Sequence, residues 1–177
     1  MDSTVTDIRD AIGSIKDYPK PGIIFRDITP LLQNTDAFQL AINTLRQRYS
    51  GQGITQIAAI EARGFIFGSA LAYAMGCGLT LLRKPGKLPG EVVSQSYQLE
   101  YGSDELQMHQ NALTENDRVL IVDDLLATGG TVVAANQLIA SSGAEVIEAA
   151  FVVSLPELGG EDKLQQSGVA CYTLCQF

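Results

Sequence analysis

Between Arg118 and Thr131 the chain sets a short aliphatic run, two adjacent carboxylates and a glycine-bearing loop in immediate succession, RVLIVDDLLATGGT. Val119 to Val122 is uninterrupted, the pattern of a strand buried on both faces of a parallel sheet. Asp123 and Asp124 follow at its carboxyl end, the edge where open α/β sheets take their ligands. The loop then leads into a helix whose apolar positions recur at Val132, Val133, Leu138 and Ile139. Glycines let a backbone approach an anion closely, and the N–H groups of a helix N-terminus supply donors and a favourable dipole. Ala127, Thr128, Gly129, Gly130 and Thr131 therefore read as a phosphate cradle, with two carboxylates just upstream.

What the loop lacks narrows the ligand. It has no lysine for a Walker A motif and no Gly-x-Gly-x-x-Gly spacing. Carboxylates accept hydrogen bonds from vicinal hydroxyls, as the acidic residue of a dinucleotide fold does from ribose. A ribose 5-phosphate group satisfies both halves, its phosphate on the loop and its hydroxyls on Asp123 and Asp124. A helix cap followed by a plain turn would use the same residue types, but their coincidence in one strand–loop–helix unit favours a ligand.

VLIVDDLLATGGT resembles the phosphoribosyl pyrophosphate (PRPP) motif of the type I phosphoribosyltransferases, and from about Tyr18 to Phe177 the chain is similar to the adenine-using members of that family. The resemblance implies an α/β fold with a central, mainly parallel sheet flanked by helices. It adds a small N-terminal hood over about residues 1–35 and a flexible β-hairpin lid over about 83–109, within a single domain of 1–177. The implied reaction is transfer of ribose 5-phosphate from PRPP to N9 of adenine, giving AMP and pyrophosphate, with Mg2+ carried by PRPP. A homodimer is implied as well.

Taken in order, Val5, Ile8, Ala11, Ile12 and Ile15 predict an amphipathic N-terminal helix. Ile23 to Phe25 predicts a short strand, and Thr29 a helix cap with Pro30 at the first position. On residues alone Phe25 is a core aromatic. The resemblance instead implies that Ile24, Phe25 and Arg26 line the base site, Phe25 stacking on the purine, with Leu125 beside them. Ile57 to Ile60 predicts a second buried strand, followed by Glu61-Ala62-Arg63-Gly64-Phe65. Arg63 then shares an edge with the acids if the strands are parallel. A solvated arginine fits that spacing equally well, and the match of EARGF to the family's pyrophosphate loop implies a phosphate ligand.

Leu79 to Leu82 predicts a third strand, running into Arg83-Lys84-Pro85-Gly86-Lys87-Leu88-Pro89-Gly90. Three cations in one loop of an acidic chain suit a departing pyrophosphate, since fixed charges aimed at developing charge are the usual solution. Arg63, Lys84 and Lys87 are the candidate clamp. Alternation at Tyr97, Leu99 and Tyr101, a break at Gly102-Ser103, and resumption at Leu106 and Met108 predict a hairpin. Glu100 in it reads as an exposed strand residue, whereas the resemblance implies a catalytic acid that exchanges a proton with the purine. His109 matches no motif.

Alanine at position 127 bears on base choice. Hypoxanthine–guanine enzymes of the superfamily typically carry an acid there, so Ala127 counts against 6-oxopurines and for adenine. The alternatives are a 6-oxopurine enzyme and a PRPP-sensing regulator without catalysis, which would be expected to show a basic DNA-binding face. The net charge of −8 argues against such a surface and against an anionic membrane partner. The N-terminus is acidic with no apolar core, so no signal peptide is visible and a cytoplasmic location is expected. Cys77, Cys171 and Cys175 have no CxxC pairing and read as reduced thiols, with no metal site.

Overall fold

The computed structural model describes residues 8–98 and 102–177. A small hairpin comes first: β1 (Gly13–Lys16) runs antiparallel to β2 (Ile24–Asp27), with Ile15 opposite Phe25. Residues 8–10 are helical, but the helix predicted through Ile15 stops short, and Ile15 stands in β1, largely exposed. Helical spacing carries no knowledge of a pairing partner, and β2 supplies the ladder that overrides it. In α1 (Thr29–Gln33) Pro30 sits in the first turn as predicted, yet Thr29 is not the cap. Its amide instead donates to Asp27 Oδ1 at 2.9 Å. Asn34 caps α2 (Thr35–Tyr49), accepting from the Ala37 amide at 3.1 Å.

Strands and helices then alternate. β3 (Gln56–Ile60) leads to α3 (Gly64–Met75) and β4 (Gly78–Leu82), then to a hairpin of β5 (Val92–Gln98) and β6 (Ser103–His109). β7 (Arg118–Leu126), α4 (Gly130–Ala140), β8 (Glu145–Ser154), α5 (Gly160–Gln166) and β9 (Cys171–Gln176) complete the body. Five strands form one sheet in the order β4-β3-β7-β8-β9, every neighbouring pair parallel. Each parallel step needs a crossover, which α3, α4 and α5 supply along with the hairpin between β4 and β7.

The aliphatic runs are buried on both faces, as their composition predicts. On one face Ile57, Leu120, Val122 and Val152 pack with Leu45 of α2 and Phe67 and Leu71 of α3. On the other, Ile60, Ile121 and Phe151 pack with Leu138 and Ile139 of α4 and with Leu106 and Met108 of the hairpin. β7 is longer than its aliphatic core: it pairs with β8 as far as Leu126 opposite Ser154, so Asp123 and Asp124 lie within the strand, not after it. Cys171 and Cys175 share β9, and all three cysteines are free thiols. Among the described residues no helix is long and apolar enough to cross a membrane.

Candidate active site

Sheet order reverses between β3 and β7: the chain goes outward from β3 to β4, then returns past β3 to β7, β8 and β9. Such a switch point leaves a crevice at the carboxyl ends of the two central strands. Arg63 follows β3 there, and Asp123 and Asp124 lie in β7 just before its carboxyl end at Leu126. Arg63 Nε lies 2.9 Å from Asp124 Oδ2, an ion pair across the crevice. Its N–H is not aligned for a hydrogen bond, so Asp124 Oδ2 is buried without a donor. A buried carboxylate oxygen in that condition is a ready acceptor for a ligand hydroxyl.

Gly64 makes this approach possible. A Cβ there would stand 2.8 Å from the Val122 carbonyl oxygen and 2.9 Å from Asp123 Oδ1. Burial, and then the charge of Asp124, push the Asp123 carboxyl well above its ordinary pKa. Burial also raises Asp124, against the pull of the Arg63 guanidinium. The pair thus has two acceptors whose second negative charge is costly until a donor arrives.

Beside the acids, Asp123, Leu125 and residues 126–132 line a hollow of about 90 Å³. Gly129 takes φ 76° as the residue that caps the N-terminus of α4, where the first-turn amides have no partner within the helix. A Cβ on Gly129 would lie 3.0 Å from the Gly160 carbonyl oxygen, and one on Gly160 only 2.2 Å from that of Ala127. The start of α5 therefore backs the loop directly. A glycine pair such as Gly159-Gly160 gives no local signal of what it packs against. Larger hollows of about 550, 450 and 420 Å³ lie elsewhere, lined by residues outside this edge.

The basic loop after β4 reaches the same edge. Glu61 Oε2 accepts from Arg83 Nε at 3.0 Å and from the Lys84 amide at 2.9 Å, tying the loop to the turn that carries Arg63. Arg83 also donates to the Lys87 carbonyl at 3.1 Å. Lys84 Nζ is half-buried and bonds to Tyr97 Oη at 2.6 Å and to the Asp104 carboxylate. Lys87 is exposed. Glu61, Tyr97 and Asp104 were not singled out from sequence. The partners of each lie 13 or more residues away or across the hairpin, which spacing cannot reveal.

The β1–β2 hairpin comes to this edge through Phe25. Its ring centroid is 5.4 Å from the Arg63 guanidinium carbon and 5.2 Å from the Tyr18 ring, edge-on. Ile24 is exposed and Leu125 half-buried. The Arg26 guanidinium is directed elsewhere, 4.3 Å from the Phe177 ring centroid and 2.6 Å from Ser14 Oγ. The structure thus brings Phe25, Arg63 and Asp124 together and leaves the Arg26 side chain apart. Glu100 lies outside the described residues. Among those residues there is no group of three or more His, Cys, Asp or Glu side chains that could hold a metal.

Fold and site define a class: doubly wound α/β proteins with a glycine-bearing, phosphate-type loop at the switch point of a parallel sheet. A family model of the phosphoribosyl transferase domain matches residues 28–170. An adenine phosphoribosyltransferase of Idiomarina loihiensis is 87% identical over 177 residues, with 100% of both chains covered. The solved adenine phosphoribosyltransferase of Thermoanaerobacter pseudethanolicus matches with a TM-score of 0.93 and 46% identity, over 98% of this chain and 99% of that one. The Saccharomyces cerevisiae enzyme, solved with adenine and an imino-altritol bisphosphate, gives 0.91 at 36% identity over 98% and 99%. The chain belongs to the phosphoribosyl transferase family, among its adenine phosphoribosyltransferases.

Proposed function

We propose that the chain transfers ribose 5-phosphate from PRPP to N9 of adenine, releasing AMP and pyrophosphate in a pentosyl transfer of purine salvage. The observation that carries this reading is the buried Oδ2 of Asp124, without a hydrogen-bond donor and 2.9 Å from Arg63 Nε, next in sequence to Asp123, which lines the hollow of the Ala127–Thr131 loop. Asp123 and Asp124 take the ribose hydroxyls, and loop amides with Thr128 and Thr131 take the 5-phosphate. Arg63, Lys84 and Lys87 stabilise the negative charge that builds on the leaving group as the bond at the anomeric carbon breaks. Ile24, Phe25, Leu125 and the backbone of Arg26 line the base, and Ala127 leaves no acid to serve a 6-oxopurine.

Adenine N9 forms the new bond to the anomeric carbon as its proton departs, and Glu100 is the residue assigned to that proton. The chain acts as one domain, with residues 1–35 as the hood and 83–109 as the lid that excludes water from the activated sugar. Mg2+ is a hard cation that takes oxygen donors. PRPP's phosphates supply them, and the two aspartates are of the right donor type at the same edge. Bound with PRPP, the ion lowers the charge on the departing pyrophosphate.

A cytoplasmic homodimer completes the proposal. Ile66 and Tyr73, on α3 and exposed to 39% and 91%, are apolar surface that a second copy would cover. Light scattering on wild type and Tyr73→Glu tests this, and a monomeric wild type would refute it. For the reaction, purified protein with Mg2+ and PRPP is offered adenine, hypoxanthine, guanine and xanthine in parallel. AMP formation from adenine, with a large fall in Glu100→Ala, is expected. Binding of PRPP without turnover of any base would overturn the enzyme reading.

A further inference from the structure

The ammonium of Lys84, assigned above to the leaving pyrophosphate, already has an anionic partner within the protein. It donates to the Asp104 carboxylate and, at 2.6 Å, to Tyr97 Oη. Tyr97 Oη in turn donates to Asp104 Oδ2 at 3.2 Å and accepts from Thr131 Oγ1 at 3.3 Å. Three parts of the chain meet at these four side chains: the basic loop after β4, both strands of the β5–β6 hairpin, and the first turn of α4. Partial burial pulls the Lys84 pKa down, but the Asp104 and Tyr97 contacts outweigh it and leave it raised. Lys84 is thus a cation with two of its three donors directed at the hairpin.

We propose that Asp104 is a positioning residue that parks Lys84 against the hairpin and competes with pyrophosphate for it. The inference rests on the assignment of Lys84 to the pyrophosphate clamp. One ammonium carries three donors, and here two of them are directed at Tyr97 and Asp104. For the lysine to turn fully onto a pyrophosphoryl group it must leave the carboxylate, and the cost of that separation is subtracted from the affinity for PRPP and for pyrophosphate. Tyr97 ties the parked lysine to the first turn of α4, because the hydroxyl that accepts from Lys84 also accepts from Thr131 Oγ1.

Asp104→Asn keeps the shape of the side chain and removes the competing charge. Lys84 and Asp104 side chains are about a third exposed, and pairs in that setting are weak, so the gain expected is about two- to fivefold. Titration calorimetry with inorganic pyrophosphate and Mg2+ on the purified full chain measures it. Pyrophosphate should bind two- to fivefold more tightly to Asp104→Asn, Asp104→Glu should return the wild-type value, and AMP, which has no pyrophosphate, should bind unchanged. Equal tightening of AMP would mean a general charge effect and would overturn the proposal, as would unchanged or weaker pyrophosphate binding. Lys84→Gln separates the two levels of argument. Loss of pyrophosphate affinity in that variant upholds the clamp, and the Asp104→Asn gain should then vanish in the Lys84→Gln background. Unchanged affinity in Lys84→Gln would refute the clamp itself.

Discussion

Gly64 leaves no room for a side chain against Asp123: a Cβ would lie 2.9 Å from the carboxylate and 2.8 Å from the neighbouring Val122 carbonyl oxygen. Both obstacles belong to β7, which is pinned by strands on each side and does not yield. In Gly64→Ala the start of α3 must move instead, and with it Arg63. Overpacking of this kind typically costs about 1–3 kcal/mol. The expected result is a lowered denaturation midpoint and at least a tenfold rise in KM for PRPP. An alanine variant with wild-type KM would show that the close approach does not set the position of Arg63.

The acid pair predicts a pH dependence of definite sign. Asp123, and to a lesser degree Asp124, is raised above the unfolded carboxyl value of about 4 by burial. The ligand-free protein therefore has this contribution to stability in full below about pH 4 and loses it as pH rises through the folded-state value. Ligand affinity runs the other way. Ribose hydroxyls donate to ionised oxygens, so PRPP should bind more tightly as pH climbs through the same interval. Melting temperature against pH, with and without PRPP, measures both, and Asp123→Asn should flatten the two curves. Parallel curves for wild type and variant would sink the assignment.

Stability is concentrated partly far from the site. Glu148 of β8 accepts from Arg48 Nη2 at 2.8 Å and Nε at 2.9 Å, and from the buried Tyr49 hydroxyl at 2.5 Å. Glu148→Ala strands a buried hydroxyl and removes the guanidinium's partner, for an expected loss of about 2–3 kcal/mol. Urea denaturation checks the loss. Turnover at a temperature below the melting transition should stay within twofold of wild type.

Phe177 anchors the β1–β2 hairpin. Its ring lies between Arg9 and Arg26, with centroid distances of 4.2 and 4.3 Å, and its amide donates to the Ser154 carbonyl at 3.1 Å. Each cation–π contact at a partly exposed site is worth about 0.5–1 kcal/mol. Phe177→Ala should raise KM for adenine several-fold and leave KM for PRPP nearly unchanged. Phe177→Tyr should retain both. Equal rises in the two constants would mean general loosening of the fold.

The parts legible in the sequence were those in which burial writes a local signature. Ile57 to Ile60 and Val119 to Val122 read as sheet interior because both faces are covered, and the acids with the glycine loop read as an edge site because strand, loop and helix are contiguous. Features that depend on a distant partner were not legible. Ile15 has helical spacing yet pairs with Phe25, and Thr29 looks like a cap while Asp27 accepts its amide. Asp124's ion pair with Arg63 follows from strand direction and could be anticipated, whereas Lys84 meeting Asp104 depends on hairpin register and loop path. Gly160 behind Ala127 is of the same kind, since helix-to-loop packing leaves no periodic trace.

All five strands of the sheet point the same way, so their starting ends form a separate rim on the opposite side from Asp124 and Thr131. The turns at 50–55 and 141–144 lead into β3 and β8 on that rim. A fluorophore, purification tag or surface tether attached at either turn should leave the catalytic edge facing solution. Immobilised that way, the molecule would present every copy in the same working orientation.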